Sequence, residues 1–297
     1  MTALRALLAG SIDYAGLFPP AGLGMPAAVD NYAHYLRGDR RWALGRFVIP
    51  AARLLEFEVA SGALPHAAGE PWRLSALLGA DPAGDIRAIS EFNRHHATDG
   101  ASTALADVVE AKAGTVAEIE VLLSAVPAHL QAYVEIPVDG DPAPLLRAIA
   151  SGGGRAKIRT GGITAGAFPL PGDVARFIHD CVSSNVPFKA TAGLHHPVRG
   201  DYAFTYEPDS PRGIMFGFLN VFLAAAFAAE GLDVATLVQL LEELSAASLT
   251  VTPNAIEWRG HRLGVAAIEA ARARTIVSFG SCSFTEPLGD LVALGKL

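Results

Sequence analysis

Short apolar runs rich in β-branched and aromatic residues alternate with longer stretches in which apolar residues recur at the helical period. The first seven runs begin at intervals of roughly 25–35 residues, the length of one strand-plus-helix unit of a parallel sheet. The predicted strands are residues 12–18, 46–50, 73–79, 105–111, 130–138, 155–160, 187–194 and 275–279. This rhythm predicts an α/β fold, a single (β/α)8 TIM barrel spanning residues 1–297. The longer gap before the last strand predicts an elaboration at about residues 200–274.

Helix-start signals separate most of these strands. Thr115 and Glu118 have the spacing of a capping box, and Asp141 and Asp233 each precede a further apolar-periodic stretch. Within the elaboration we predict helices at 233–247 and 265–274, with a hairpin around 249–263. The alternative architecture is an open doubly wound sheet. It requires a glycine-rich dinucleotide turn after an early strand, and the sequence contains none.

Residues 214–229 of the elaboration are apolar on nearly all sides. The stretch is shorter than the roughly 20 residues that a membrane-spanning helix needs, and it contains Asn220. It is therefore predicted to be a helix buried between the barrel core and either another element or a second subunit. A homo-oligomer formed through this helix is one expectation, and we expect no membrane partner.

The composition sets limits on the class of protein. Hydrophobic residues make up 51% of the chain and charged residues 18%, so a large core can form. The formal net charge of -7 argues against nucleic acid or an anionic membrane as the main partner. With two cysteines, Cys181 and Cys282, neither a disulfide scaffold nor a cysteine-rich zinc module is expected. The sequence shows no secretion signal and no cofactor motif, so we expect a cytoplasmic protein without a cofactor.

The lysines are few and unusually placed. Of 23 basic residues only four are lysine, and Lys112, Lys157 and Lys189 lie in or just after apolar strand runs, whereas Lys296 lies in the C-terminal tail. Arginine keeps its proton in proteins, whereas a buried lysine can become a neutral, nucleophilic amine. The placement therefore predicts amine chemistry such as a Schiff base. Each of these lysines also has a purely structural alternative as a buried ion-pair partner, for example Lys112 with Glu110 on the same strand face.

The carboxyl ends of barrel strands form the active site in this fold. Two lysines on adjacent strands, Lys157 and Lys189, are expected to lie close together there, so that repulsion lowers the pKa of one of them. Glu110 or Glu135 is the expected proton-transfer partner. The expected substrate-binding residues also lie at or near strand ends; they are Asp13, Lys112, Arg159, Thr191, His195, His196 and Ser281.

Four segments resemble the deoxyribose-phosphate aldolase family of class I aldolases. AKIRTGG resembles its strand-six Schiff-base motif and PFKATAGLHH its strand-seven motif, while AYVEIPV and SFGSCSF resemble its strand-five and last-strand segments. The resemblance covers residues 131–283 and implies that Lys157 forms the imine while Lys189 tunes it. It implies a lyase that acts on a small carbonyl compound bearing an anionic group.

The chain departs from that family pattern at three points. Ile158 and Arg159 replace a small polar residue, and His195-His196 follow Gly193-Leu194 where the family has a phosphate-binding glycine pair. Arg159, His196 and Ser281 are expected to bind an anionic group of the substrate, and a carboxylate and a phosphate are both open at this point. The family's strand-borne aspartate falls on Asp107 or is replaced by Glu110, and both assignments are open at this point.

Two other functions fit the same residues. A magnesium-dependent lyase or isomerase working through an enolate would use Asp13, Glu110 and Glu135 as oxygen ligands and Lys157 as base. A barrel without catalytic activity would serve binding or assembly through the 214–229 helix. Cys282 has no evident base partner in the sequence and is not expected to be a nucleophile. The glycine- and proline-rich segment 11–26 is either a plain surface loop or a rigid loop over the barrel mouth.

Overall fold

The computed structural model describes residues 1–62, 71–98 and 104–297. In this part of the chain eight parallel strands close into a barrel, in the order β1-β2-β3-β4-β5-β6-β7-β13 and back to β1. The strands in chain order are β1 (Ile12–Tyr14), β2 (Leu44–Pro50), β3 (Trp72–Leu77), β4 (Ala104–Lys112), β5 (Gln131–Glu135), β6 (Arg155–Arg159), β7 (Phe188–Thr191), β8 (Gly200–Ala203), β9 (Arg212–Met215), β10 (Leu249–Val251), β11 (Ala255–Trp258), β12 (His261–Gly264) and β13 (Ile276–Ser281). The predicted TIM barrel is confirmed, and the open doubly wound alternative is wrong.

Helices connect the strands and surround the barrel. They are α1 (Ala3–Leu8), α2 (Met25–Arg37), α3 (Leu54–Gly62), α4 (Pro82–Thr98), α5 (Val116–Ala125), α6 (Ala143–Ser151), α7 (Pro171–Ser183), α8 (Phe218–Ala229), α9 (Val234–Leu241), α10 (Val265–Arg274) and α11 (Thr285–Ala293). Short 3-10 turns occur at Arg41–Ala43, Ala51–Arg53, Ala165–Ala167 and Ala246–Ser248.

The helix-start signals act as their chemistry predicts. Thr115 and Glu118 form the reciprocal capping box at the start of α5, and the Asp233 carboxylate accepts a hydrogen bond from the backbone N–H of Thr236 at the start of α9. At α6 the cap is Pro142, one residue later than expected, and Asp141 accepts from the backbone N–H of Ala143. The side-chain caps of α5 and α9 accept hydrogen bonds from backbone N–H groups that have no partner within the first helical turn.

Strand alternation divides the barrel into two kinds of surface. Residues on the helix-facing side, such as Phe47, Ile49, Ile158 and Phe279, are fully buried and apolar. Lys157 and Lys189 both lie on the inward face of the barrel, at register positions directly beside each other. The apolar core therefore lies between strands and helices, whereas the inner face of the barrel is free to carry charged groups.

The elaboration lies between β7 and β13, as predicted. It contains the antiparallel pair β8–β9, then α8 and α9, the antiparallel sheet β10-β11-β12, and α10. The predicted hairpin gains a third strand, and the second helix ends at Leu241 rather than Ala247. The β8–β9 pair was not predicted; it places residues 200–215 beside the end of β7.

Helix α8 packs inside the chain. Its side chains from Phe218 to Ala228 are all buried, and it contacts α7, α9, α10 and β13. Asn220 is buried with them, and its amide bonds the carbonyl oxygens of Leu240 and Glu243 at 2.8 and 2.9 Å and the backbone N–H of Arg199 at 2.9 Å. The chain's own elements bury this helix, and the homo-oligomer expected through residues 214–229 stays a prediction. Among the described residues, no helix combines the length and apolar character needed to cross a bilayer.

Candidate active site

Two lysines lie side by side inside the carboxyl end of the barrel. Lys157 on β6 is in register with Lys189 on β7 and with Glu135 on β5. Neighbouring residues in a parallel register point to the same side of the sheet, so all three side chains converge on the barrel mouth. The side chains of Lys157 and Lys189 are only 6% and 2% exposed, respectively.

Glu110 joins the two lysines. Its Oε1 accepts a hydrogen bond from Lys189 Nζ at 2.6 Å, and its Oε2 lies 2.8 Å from Lys157 Nζ. The outer partners are Asp13, whose Oδ2 is 2.6 Å from Lys189 Nζ, and Glu135, whose Oε2 is 2.8 Å from Lys157 Nζ. These five residues form an alternating row of negative and positive charges, which we call the lysine–carboxylate cluster.

The cluster continues towards solvent through Glu135. Arg159 donates from Nε to Glu135 Oε1 at 3.1 Å, and Lys112 Nζ lies 3.6 Å from the same oxygen. The Lys112 side chain is 75% exposed, so it lies at the rim rather than inside the site. Its ion-pair partner is Glu135 on the neighbouring strand, not Glu110 as the structural alternative had it.

Two serines that sequence reasoning missed donate hydrogen bonds to the carboxylates of the cluster. Ser75 Oγ donates to Glu110 Oε1 at 2.5 Å, and Ser278 Oγ donates to Asp13 Oδ2 at 2.7 Å. Both are fully or almost fully buried. A hydroxyl within an otherwise apolar strand was the available signal, since a buried polar group needs a partner.

Burial and charge act in opposite directions on these groups. Burial raises the pKa of Glu110, but the ammonium groups of Lys157 and Lys189 outweigh it and hold that pKa well below its ordinary range. Burial lowers the pKa of Lys189, but the carboxylates of Asp13 and Glu110 outweigh it and raise that pKa. The pKa of Glu135 is lowered because Lys157 and Arg159 outweigh its burial. The structure thus places a carboxylate between the lysines where the sequence led us to expect unscreened repulsion.

A cavity of about 270 Å³ opens above the cluster at the carboxyl ends of the strands. This is close to the lower end of the common range for ligand pockets, about 300–1,000 Å³. Part of its wall comes from the glycine- and proline-rich segment predicted as a loop over the mouth. The lining residues that matter here are Ala15, Phe18, Pro19, Pro20, Glu110, Lys157, Arg159, Lys189, Thr191, His195 and Cys282. The cavity therefore suits a small molecule.

The turn after β7 forms another part of the wall. Gly193 has φ +73°, and a Cβ added there would lie 2.9 Å from the Cα of Gly161 in the loop after β6. Only glycine combines this left-handed backbone with so close an approach. Two loops can therefore cross directly beside Thr191 at the edge of the cavity.

The expected substrate-binding residues divide into two groups. Arg159, Thr191 and His195 line the cavity. His196 lies instead beside Asp290, at 2.6 Å between Nδ1 and Oδ2. Ser281 lies on the opposite face of β13 from Gly280 and Cys282, which do line the cavity. The expectation that His196 and Ser281 contact an anion in this cavity is therefore wrong.

His195 belongs to a polar group that sequence reasoning did not find. Its Nδ1 lies 3.2 Å from Glu286 Oε2 and 3.9 Å from Cys282 Sγ, and Tyr206 donates to Glu286 Oε2 at 2.9 Å. Burial lowers the pKa of His195, but Cys282 and Glu286 outweigh burial and raise it to about 9. His195 is therefore an imidazolium at neutral pH, beside the cavity.

Asp107 lies away from the site. Its carboxylate pairs with Arg46, at 2.8 Å, and with Arg73, both near the amino ends of their strands. Of the two positions left open for the strand-borne acid, Glu110 is the one beside the lysines.

The carboxylates proposed as magnesium ligands are already engaged. Lys189 bonds Asp13 and Glu110, and Lys157 pairs with Glu110 and Glu135. A divalent cation at this point would have to displace both ammonium groups from the same oxygens. Within residues 1–62, 71–98 and 104–297, no group of three or more His, Cys, Asp or Glu side chains is arranged to hold a metal ion.

Comparison of the chain with known protein families, with curated proteins and with solved structures gives no match in any of the three. The functional argument therefore rests on the geometry of the barrel mouth.

Proposed function

We propose that this protein is a class I aldolase-like lyase, which forms a Schiff base between Lys157 and a small carbonyl compound bearing an anionic group. The observation that carries the proposal is the position of Lys157. Its amine is buried, borders a cavity at the carboxyl end of a TIM barrel, and lies 2.8 Å from each of two carboxylates. Active sites of this fold lie at that end of the barrel. The four motif resemblances in the sequence point to the same chemistry.

Lys157 must lose a proton before it can attack a carbonyl carbon, and Glu135 is the better acceptor of the two carboxylates. Glu110 is held by the buried ammonium of Lys189 and by Ser75, both of which favour its charged form. Glu135 instead pairs with Arg159 and Lys112, whose side chains are 46% and 75% exposed, so solvent screens their charges. We therefore assign proton transfer at Lys157 to Glu135.

The reaction then follows the general course of imine catalysis. The neutral amine adds to the carbonyl carbon, and loss of water leaves a protonated iminium. A base takes the proton of the β-hydroxyl group, the adjacent C–C bond breaks, and its electron pair moves into the iminium to give an enamine and a carbonyl fragment. Protonation of the enamine carbon and hydrolysis release the second product and restore the amine.

The charges of the cluster suit this intermediate. An iminium carries the same positive charge as the ammonium that it replaces, so Glu110 and Glu135 keep a cation between them. Lys189 stays protonated because its pKa is raised, and it holds Glu110 in place. Arg159 and the His195 imidazolium are the cavity-lining cations available for the anionic group of the substrate.

Borohydride reduction tests the proposal directly. The protein is incubated with a panel of small aldehydes and 2-oxo acids, reduced, digested and mapped by mass spectrometry. We expect a stable adduct on Lys157 in the wild-type protein and its loss in Lys157→Met, whereas Lys296→Met in the C-terminal tail retains it. Mapping the adduct in the wild-type protein assigns the site even if Lys157→Met folds poorly. An adduct on another lysine, or none with the whole panel, would contradict the proposal.

A further inference from the structure

A second opening reaches the cluster from the side. A groove of about 750 Å³ runs outward from the barrel mouth between the start of α4 and the length of α5. Glu110, Glu135, Lys157 and Arg159 line its inner end. Its remaining walls are mostly apolar and include Leu77, Leu78, Pro82, Ala83, Ala117, Val121, Leu122 and Ala125.

The groove and the cavity above the cluster share four lining residues, Leu77, Glu110, Lys157 and Arg159. A molecule covalently attached to Lys157 can therefore extend in two directions, into the cavity beside His195 or along the groove. Arg159 and His195 line the cavity, whereas the outer wall of the groove is mostly apolar.

The outer part of the groove leaves apolar surface in contact with solvent. Val121 on α5 is 71% exposed and lines the groove. Burying such surface under an apolar ligand is favourable. The charged groups of the outer groove have partners within the chain: Glu118 accepts from the backbone N–H groups of Gly114 and Thr115, and Asp81 accepts from that of Gly84. Lys112, which also lines the groove, pairs with Glu135.

A wider depression on the other side of α5 is a poorer match for a substrate. It has a volume of about 890 Å³ and is lined by residues such as Phe168 and Leu170. At the barrel mouth its lining includes Glu135 and Arg159 rather than Lys157. A ligand lying there would not place its carbonyl carbon at the amine.

We infer that the substrate of the proposed reaction is amphiphilic, with an aliphatic or aromatic chain that lies in the groove between α4 and α5 while its carbonyl carbon meets Lys157. This inference rests on the proposed function and adds the chemical class of the substrate. The anionic group then lies on the cavity side, near Arg159 and His195.

The experiment measures how trapping depends on chain length. Pyruvate, 2-oxobutanoate, 2-oxohexanoate and 2-oxooctanoate are titrated against the protein, and the yield of reduced adduct on Lys157 is followed. We expect the half-saturating concentration to fall by up to about fourfold for each methylene that becomes fully buried. A half-saturating concentration that does not change with chain length overturns the inference, and trapping of pyruvate with that outcome leaves the proposed function standing.

A pair of variants on α5 locates the chain. Ala117→Trp places an indole in the groove from an exposed position, and we expect trapping of 2-oxooctanoate to weaken by at least about tenfold more than trapping of pyruvate. Glu120→Trp is the matched control, since this residue is exposed on the same helix and lies outside the groove lining. Equal losses for the short and long probes in Ala117→Trp overturn the inference.

A binding measurement separates the groove from imine chemistry. Octanoate and butanoate carry the carboxylate and the chain but have no reactive carbonyl group. Calorimetry of the wild-type protein should show tighter binding of octanoate, and Ala117→Trp should remove the difference. If no oxo acid is trapped, the proposed function fails. The calorimetry then still shows whether the chain of a ligand occupies the groove. Equal affinities for the two acids would show that a ligand chain does not occupy it.

Discussion

Replacing Glu110 by glutamine changes the charge at the centre of the lysine–carboxylate cluster. The side chain keeps its size, but one of its two oxygens becomes an NH2 group. Glu110 is 2% exposed and contacts Lys157 at 2.8 Å and Lys189 at 2.6 Å. In Glu110→Gln, one of these buried ammonium groups faces a donor instead of an acceptor, and the cluster of three carboxylates and two ammonium groups loses its net negative charge.

The structure sets the size of the expected effect. Removing one partner of a buried ion pair costs about 3–5 kcal/mol, because the remaining charge is buried without compensation. Glu110 serves two such pairs, but Lys189 keeps Asp13 and Lys157 keeps Glu135, so we expect a loss in the free energy of unfolding at the lower end of that range at pH 7. Glu120→Gln, an exposed glutamate on α5, is the control and should change stability by less than about 0.5 kcal/mol.

The effect of Glu110→Gln on the free energy of unfolding should also depend on pH. In the wild-type protein the raised pKa of Lys189 stabilises the fold fully below its unfolded pKa of about 10.4, and that contribution is lost as pH rises through the folded pKa. In Glu110→Gln, Asp13 remains beside Lys189, so the pKa of Lys189 is raised less and the variant loses less stability as pH rises. The difference in stability between the two proteins should therefore shrink as pH rises above about 10.4.

Urea denaturation at pH 7 and at about pH 11 measures both quantities. A loss below about 1 kcal/mol, the size of an exposed ion pair, would show that Glu110 does not bridge two buried cations. An equal loss at the two pH values would refute the electrostatic origin of the effect.

Two further substitutions test other parts of the structure. Asn220→Ala removes three hydrogen bonds to buried or partly buried backbone groups around α8 and should lower the free energy of unfolding by about 1–3 kcal/mol or more, as measured in urea; a loss no larger than that of Asn254→Ala at an exposed site would contradict it. Glu286→Gln should lower the His195 pKa from about 9 towards its ordinary value, as followed by imidazole NMR. The stability from this contact is present below the unfolded pKa of about 6.5 and is lost as pH rises through about 9, so the variant should lose that pH dependence. An unchanged imidazole titration would show that Glu286 does not set the charge of His195.

The strands could be predicted from the sequence because the two-residue period of strands and the 3.6-residue period of helices leave a clear pattern of apolar positions in this chain. All eight predicted runs overlap barrel strands, and the capping signals at Thr115 and Asp233 are confirmed. The placement of Lys157 and Lys189 at the barrel mouth also followed from local pattern, since strand position and alternation fix which side chains meet.

Other features depend on contacts that no local pattern encodes. The apolar stretch containing α8 indicated burial, but only the fold shows that elements of the same chain cover it. Glu286 on α11 contacts His195, and Tyr206 in the elaboration donates a hydrogen bond to Glu286, although the three residues are far apart in the chain. Ser281 was a misassignment that alternation could have corrected, because Ser278 and Cys282 share the other face of the strand run.

Because the two lysines share the Glu110 carboxylate, the charge of one affects how strongly Glu110 holds the other. If Lys157 is neutral, as the proposed reaction requires, Glu110 keeps Lys189 as its ammonium partner within the cluster and holds it more strongly. Under the proposed function, the constants of a pH–rate profile would then belong to the coupled cluster and not to one residue. Changing Lys189 would shift such a profile, although the residue lies one strand away from Lys157.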